Sequence, residues 1–302
     1  NGNNINGWPI ECIPGGFGTS GTASHPLVLS NFDRQIGGLE SLLLDKGRSY
    51  PSIIYSFRSN GRDVDNWPIM FEDDQEVVSK PAIGDVDCDG EEEVVFSIVN
   101  LDDIGFHVLD SHILQIVSKA GEIEGNFNIL QDKNLIGTGI ILFDIDNNCD
   151  LEIVLAGYDN EGDHIWVFNH DGSVYEGWPS THRYQLTGSP AVSQGFPTDS
   201  GYAIVVGGIS PSNNGDPWLQ GIISVLDEEG NDLDGWPKEV DGSIWNQPTL
   251  VDLNSDGNTE IFVATFTGFV YGFDNQGNII NGFPKRMNYV SWSGVAIDDL
   301  DN

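Results

Sequence analysis

The chain has 302 residues, 39% of them hydrophobic, enough to bury one large repeat domain or two ordinary ones. Its formal net charge is −35, from 47 acidic against 12 basic residues, a surface that repels nucleic acid and anionic membranes and suits high salt. No apolar run reaches the roughly 18 residues that a membrane-spanning helix needs.

In chain order, the opening Asn1-Gly2-Asn3-Asn4 is polar and is no signal peptide, so the chain is read as processed or as a fragment. A Gly-aromatic-Pro signature then recurs: Gly7-Trp8-Pro9, Asn66-Trp67-Pro68, Gly177-Trp178-Pro179, Gly235-Trp236-Pro237 and Gly282-Phe283-Pro284, with Asn126-Phe127 in the remaining place. Successive aromatics lie 59, 60, 51, 58 and 47 residues apart, the period of a four-stranded propeller blade with insertions. No segment has a helical period, and the 37 glycines and 14 prolines punctuate turns. The expected fold is therefore all-β: one propeller domain over 1–302 with five full blades of four antiparallel strands and a partial terminal blade. The blades are placed at 10–68, 69–127, 128–179, 180–237 and 238–284. Residues 285–302 pair with 1–9 in the partial blade, and the polypeptide is expected to continue beyond Asn302.

The first repeat is divergent: His25-Pro26-Leu27-Val28 reads as an inner strand, but Ser30-Asn31-Phe32-Asp33 lacks an acidic loop. The second repeat carries Pro81–Phe96, PAIGDVDCDGEEEVVF, in which Asp85, Asp87 and Asp89 alternate before Gly90, with Glu91 and Glu93 following. Alternating carboxylates around a turn bring several hard oxygens to one point, as calcium requires, and the Gly supplies a backbone shape that a Cβ opposes. An EF-hand starts alike but places its bidentate Glu at position 12 and enters a helix. Here the last acid is at position 9 and Val94, Val95 and Phe96 read as a strand, so the motif is a strand–loop–strand hairpin.

The third repeat has Asp144, Asp146, Asn148, Asp150 and Glu152, with Cys149 where the Gly stood. In the fourth, Gln194-Gly195-Phe196-Pro197-Thr198 replaces the ligands, and the blade is expected to be metal-free. The fifth has Asp252, Asn254, Asp256, Asn258 and Glu260 with Gly257 in place, and Asp299 and Asp301 begin a further copy. Side chains at positions 1, 3, 5 and 9 and the carbonyl at position 7 (Glu91, Asp150, Asn258) are the expected ligands. The loop with Cys149 is expected to bind calcium more weakly than the other two. In the fifth repeat the strands are placed at Gln247–Val251, Glu260–Thr265, Gly268–Phe273 and Asn278–Gly282.

Cys12, Cys88 and Cys149 form neither a disulfide framework nor a CxxC pair, so zinc is not indicated. They are expected to be free, with a single bridge as the alternative. Six histidines form no HExxH, and GxSxG and P-loop motifs are absent. His107 and His164 fall in or beside third strands and read as packing residues. The tryptophans of the Gly-Trp-Pro corners read as packing between blades.

The segments PAIGDVDCDGEEEVV, VDLNSDGNTEIFV and FNHDGSVYEGWP resemble the FG-GAP and VCBS repeats, calcium-binding β-propellers that include the integrin α headpiece and many secreted bacterial proteins. The resemblance covers essentially the whole chain. It implies calcium on one face of the disc, partner binding on the other, and a secreted or cell-surface protein belonging to a larger chain or assembly. Strand order puts the second-to-third-strand connections and the blade-to-blade connections on the face away from the calcium loops. Those carry Trp218, Trp245 and Trp292, the candidate ligand-binding residues, with Asn213, Asn214 and Asp216 beside them. The bland reading of Trp245 and Trp292 is that they cap inner strands.

Two functional classes follow: a non-catalytic module that binds a protein or glycan, or the propeller of a secreted polysaccharide lyase or other larger enzyme. No catalytic residues are assigned, and nucleic acid and membrane insertion are not expected. Filling three loops with calcium would offset six charges and leave about −29.

Overall fold

Strand Tyr202–Ile209 is buried at all eight positions, because its neighbours cover both faces. Tyr202, Ile204 and Val206 pack with Val154, Ala156, Ile165 and Val167 of the preceding sheet, while Ala203 and Val205 pack with Ile261 and Val263 of the following one. Side chains alternate across a strand, so a strand between two stacked sheets must be apolar throughout. That continuous apolarity is what the EVVF, EIVL and EIFV segments encode. The computed structural model describes residues 28–30, 39–45, 52–72, 74–100, 112–130, 134–135, 139–159, 161–212, 215–287, 291 and 294–297. No helix occurs among them.

The chain divides into two compact units, one of residues 1–133 with 149–151 and 170–172, the other of the remainder. The first unit holds two antiparallel sheets. One runs Val28–Ser30, Glu40–Asp45, Ile53–Phe57 and Ile69–Met70; the next runs Gln75–Val77, Glu93–Asn100, His112–Val117 and Ile123–Leu130. Leu42, Leu44 and Ile54 of one meet Val94, Phe96 and Ile98 of the other.

The second unit holds three sheets, built on Glu152–Asp159 and Gly162–Phe168, on Tyr202–Ile209 and Gln220–Leu226, and on Glu260–Ala264 and Phe269–Phe273. In three of the five sheets the inner strand is split. Gln75–Val77 and Ala82–Gly84, for example, both pair with Glu93–Asn100.

The outer strand lies later than the sequence reading placed it. Asn278–Gly282 is not a strand; only Ile279 bridges to Phe273, and the outer strand is Lys285–Arg286. Ile69–Met70, Ser180–His182 and Lys238–Asp241 follow their Trp-Pro pairs in the same way. The reason is local. Gly177, Gly235 and Gly282 sit at φ of 92°, 92° and 96°, so the chain turns there before pairing can resume; the aromatic-Pro bond is cis in the four described corners. Asn126-Phe127 makes no such corner, because both lie inside the continuous strand Ile123–Leu130.

Within each unit the tryptophan corners join one sheet to its neighbour. Trp67 is 6% exposed and donates from Nε1 to Lys119 O at 3.0 Å, while Asn66 Nδ2 donates to Ala120 O at 2.9 Å. Trp178 and Trp236 are equally buried in the inter-sheet cores. Removing such an indole costs about 3–5 kcal/mol.

Candidate metal centres and an aromatic rim

Three loops fold alike. Eight residues separate the paired ends Gly84 and Glu93, Phe143 and Glu152, and Val251 and Glu260. In each, the Glu at position 9 turns back to accept the N–H of position 2: Val86 to Glu93 at 2.9 Å, Ile145 to Glu152 at 2.7 Å, Leu253 to Glu260 at 2.7 Å. Asp85 accepts from Gly90 at 3.0 Å, and Asp252 accepts from Gly257 at 2.8 Å and Asp256 at 3.1 Å. Asn148 donates its N–H to Asp144 at 3.1 Å and Asp146 at 3.2 Å. The backbone amides thus fold the carboxylates back onto their own loop, with Asp87, Asp89, Asp146 and Asp256 still exposed.

One oxygen from each of Asp85, Asp87 and Asp89 falls within 4.8 Å of the others, and the same holds for Asp144, Asp146 and Glu152. Asp85 Oδ1 is buried without a hydrogen-bond partner. Glu93 and Glu152 are only 3% and 1% exposed, and burial, aided by the neighbouring aspartates, pushes both carboxyls up to about 7. Buried acids crowded by acids are costly unless a cation joins them. The donors are oxygens alone, which fits a hard divalent ion and not zinc.

Position 7 has a role that sequence reasoning missed. Its side chain grips the turn between the third and fourth strands of its own sheet, always at the second turn residue. Glu91 pairs with Lys119, Asp150 Oδ2 lies 3.2 Å from His170 Nδ1, and Asn258 Oδ1 accepts from Asn275 Nδ2 at 2.9 Å. Position is all that the three contacts have in common: each joins position 7 to the residue after the turn's first Ser, Asn or Asp.

The expectation of free cysteines is corrected: Cys88 and Cys149 form a disulfide, with Cα atoms 5.5 Å apart. Cys88 is position 4 of its loop and Cys149 position 6 of the next, two places where the backbone turns left-handed. Cys149 has φ 89°, against 91° for Gly90 and 86° for Gly257. Leu151 N–H also reaches Val86 O at 3.1 Å. The missing Gly is therefore explained by a covalent link. Asp299, Asp301 and Cys12 lie outside the described residues.

Within the second unit, the connections away from these loops gather aromatics. Trp218 and Trp245 stack with centroids 5.3 Å apart, and Trp218 lies 4.5 Å from Phe266. The two tryptophans share a face, as strand order requires; Trp292, Asn213 and Asn214 lie outside the described residues. A second feature of this rim is a hollow lined by Asp163, His182, Arg183 and Tyr184. His182 is held down to about 4 by burial, so its imidazole is neutral at pH 7. His164, 2% exposed, packs at 5.0 Å from Trp166 and meets Thr181 Oγ1 at 3.0 Å. No helix of the described residues is long and apolar enough to cross a membrane.

No protein-family model matches the chain, and no curated protein matches it. Solved structures do. BBS1N in complex with ARL6DN, soaked with mercury, superposes with a TM-score of 0.52 at 12% identity, covering 87% of this chain and 84% of that one. The lead-soaked crystal gives 0.51 at 12% identity over 85% and 81%. A quinohemoprotein alcohol dehydrogenase from Comamonas testosteroni gives 0.49 at 14% identity, covering 79% of this chain; the chain spans only 41% of that enzyme. At these identities the likeness concerns fold alone. With the five antiparallel sheets of four or five strands among the described residues, it makes the chain a β-propeller.

Proposed function

We propose that this chain is a calcium-stabilised propeller of the FG-GAP and VCBS kind, acting in a secreted or cell-surface protein as a module that binds a protein or glycan. The carrying observation is the repeated loop, in which backbone amides and a buried Glu aim several carboxylates at one point. Asp85, Asp87, Asp89 and Glu93 hold the first ion. Asp144, Asp146, Asn148 and Glu152 hold the second, and Asp252, Asn254, Asp256 and Glu260 the third. Calcium there supplies positive charge that rigidifies the loops, and the opposite rim remains for a ligand.

The test is retention of ligand by the bead-coupled chain in calcium, with release by chelator. Failure to bind calcium in a titration refutes the metal reading, and failure to retain any glycan or protein refutes the binding reading. A lyase is the second reading, favoured by Arg183 beside the neutral His182 and Tyr184 in one hollow. A lyase needs a base and a cation near an acidic sugar. It predicts unsaturated uronate products from an acidic polysaccharide, which a binding module does not make.

A further inference from the structure

Trp218, Trp245 and Phe266 come from three successive connections, and one residue ties them together. Ser243 donates its N–H to Trp218 O at 3.2 Å and accepts Phe266 N–H at 2.9 Å; its hydroxyl accepts Trp245 Nε1 at 2.7 Å. Asp216 Oδ1 accepts the N–H of Trp218 at 3.1 Å. The aromatic cluster is thus held before any ligand arrives, which spares a ligand the cost of ordering it. Trp218 keeps 37% of its surface in solvent and Leu219 57%.

Beside them lies a hollow of about 500 Å³, lined by Leu219, Gln220, Glu239, Val240 and Asp241. Gln220 and Asp241 stand opposite each other across the strand pair. Glu239 is oriented by the hydroxyls of Ser210 and Ser212, each at 2.5 Å. No lysine or arginine lines this hollow.

We infer that this rim binds a pyranose oligosaccharide lacking carboxylate and sulfate groups, with a sugar ring on Trp218 and its hydroxyls donating to the carboxylates of Asp241 and Glu239. Three observations select this occupant. The hollow falls within the roughly 300–1,000 Å³ of small-ligand sites. The carboxylates repel uronates and sulfated sugars, and form charge-assisted bonds with hydroxyls. An indole offers the flat apolar face that the C–H side of a sugar ring can cover.

The inference rests on the binding-module reading and narrows it to one ligand class and one place. The test is a glycan array probed with the calcium-loaded chain, followed by titration of the best neutral or amino-sugar oligosaccharide. Trp218→Ala and Asp241→Asn each weaken that binding by about tenfold or more, the scale of a hot-spot loss. Trp218→Phe restores part of it, and the calcium-dependent rise in Tm is unchanged in all three. An array with no neutral or amino-sugar hit overturns the inference, as does a hit whose affinity survives Trp218→Ala. A lysine- or arginine-rich peptide held at Trp218 instead makes this a protein site and also overturns it. If a ligand binds elsewhere on the chain, this inference falls while the binding-module reading stands.

Discussion

The hairpin loops 195–201 and 252–259 occupy the same place in adjacent sheets, yet they close in opposite ways. They touch: Thr259 donates its N–H to Gly195 O at 3.2 Å and its hydroxyl to Gln194 O at 2.7 Å. The first has seven residues between paired ends, the second eight. The shorter loop satisfies itself, with Gly195 N–H on Gly201 O at 2.9 Å, Thr198 Oγ1 on Tyr202 O at 2.7 Å, and Phe196 buried in the apolar core. The longer one turns Asp252, Asn254 and Asp256 onto its own amides and buries Glu260 at 7% exposure. Both grip the turn after the third strand, through Ser200 to Glu228 and Asn258 to Asn275. One hairpin thus tolerates either self-sufficient backbone bonds or a concentration of charge, and only the second has the donor set of the proposed cation site.

The comparison breaks most visibly on chelation. Extracellular calcium modules typically have Kd of about 10⁻⁴–10⁻³ M. At ten times Kd each filled site adds about 1.4 kcal/mol, so three add about 4 kcal/mol. Chelator should lower Tm accordingly, and hydrogen exchange should rise in 85–92, 144–151 and 252–259 while 195–201 stays protected. Equal deprotection of all four loops would remove the distinction, and an unchanged Tm would remove calcium.

Next in size is the disulfide, which makes 144–152 an intermediate case: an acidic loop whose Gly place is held by a covalent link. A bridge of this loop length contributes about 2–4 kcal/mol. The double variant Cys88→Ser, Cys149→Gly should lose that amount in denaturant melts while keeping calcium binding, because Gly takes φ 89° freely. Cys149→Ser, which loses the bridge and keeps the Cβ, should lose binding at the second site as well.

How much of this could be read from residues alone divides along range. The acidic loops and the corners are local patterns of a few residues repeated at a fixed period, so type and place were legible. The sequence places the outer strand before the corner, at Asn278–Gly282, because Ile279-Ile280 is the apolar pair that follows the turn; pairing resumes only after Phe283-Pro284. The disulfide joins residues 61 apart at two different loop positions, 4 and 6, and nothing in either repeat points to the other. The clamp from position 7 was hidden for a different reason: Glu91, Asp150 and Asn258 share only a location, and their partners Lys119, His170 and Asn275 share no chemistry.

A pH series sharpens the contrast further. Burial first, then nearby aspartates, raise Glu93 and Glu152 to about 7 in the metal-free fold, while an unfolded Glu titrates near 4.5. Between those values the folded state holds more protons than the unfolded state. Chelated protein should therefore lose stability as pH rises from about 4.5 to 7. Calcium competes with those protons, so loaded protein should gain stability over the same window. Crossing Tm-against-pH curves with and without chelator are the expected outcome; parallel curves would show that the two glutamates do not face the ion. Substituting both by Gln should flatten the chelated curve.

The smallest effect concerns the ranking of sites. The loop at Asp85 carries four carboxylates at positions 1, 3, 5 and 9, whereas the loops at Asp144 and Asp252 carry three each, with Asn148 and Asn254 as the fourth donors. Charge alone makes the first loop tightest and the other two close. The sequence reading sets the Asp144 loop last because Cys149 stands in a Gly place and Asn148 removes one charge. The disulfide changes the weight of that argument: a left-handed Cys149 held by Cys88 pays its conformational cost on folding, not on binding. Gly257 has no such support, so Gly257→Ala must adopt φ 86° at a cost of about 1 kcal/mol or more, roughly a fivefold loss of calcium affinity at that site. Asn148→Asp restores a fourth carboxylate and should tighten the second site. Luminescence titration with terbium, resolved site by site through Glu93→Gln, Glu152→Gln and Glu260→Gln backgrounds, reads all three. A second site far weaker than the third in the oxidised protein would mean that the bridge does not hold Cys149 ready. A gap that opens only on reduction would place the ranking in the disulfide itself.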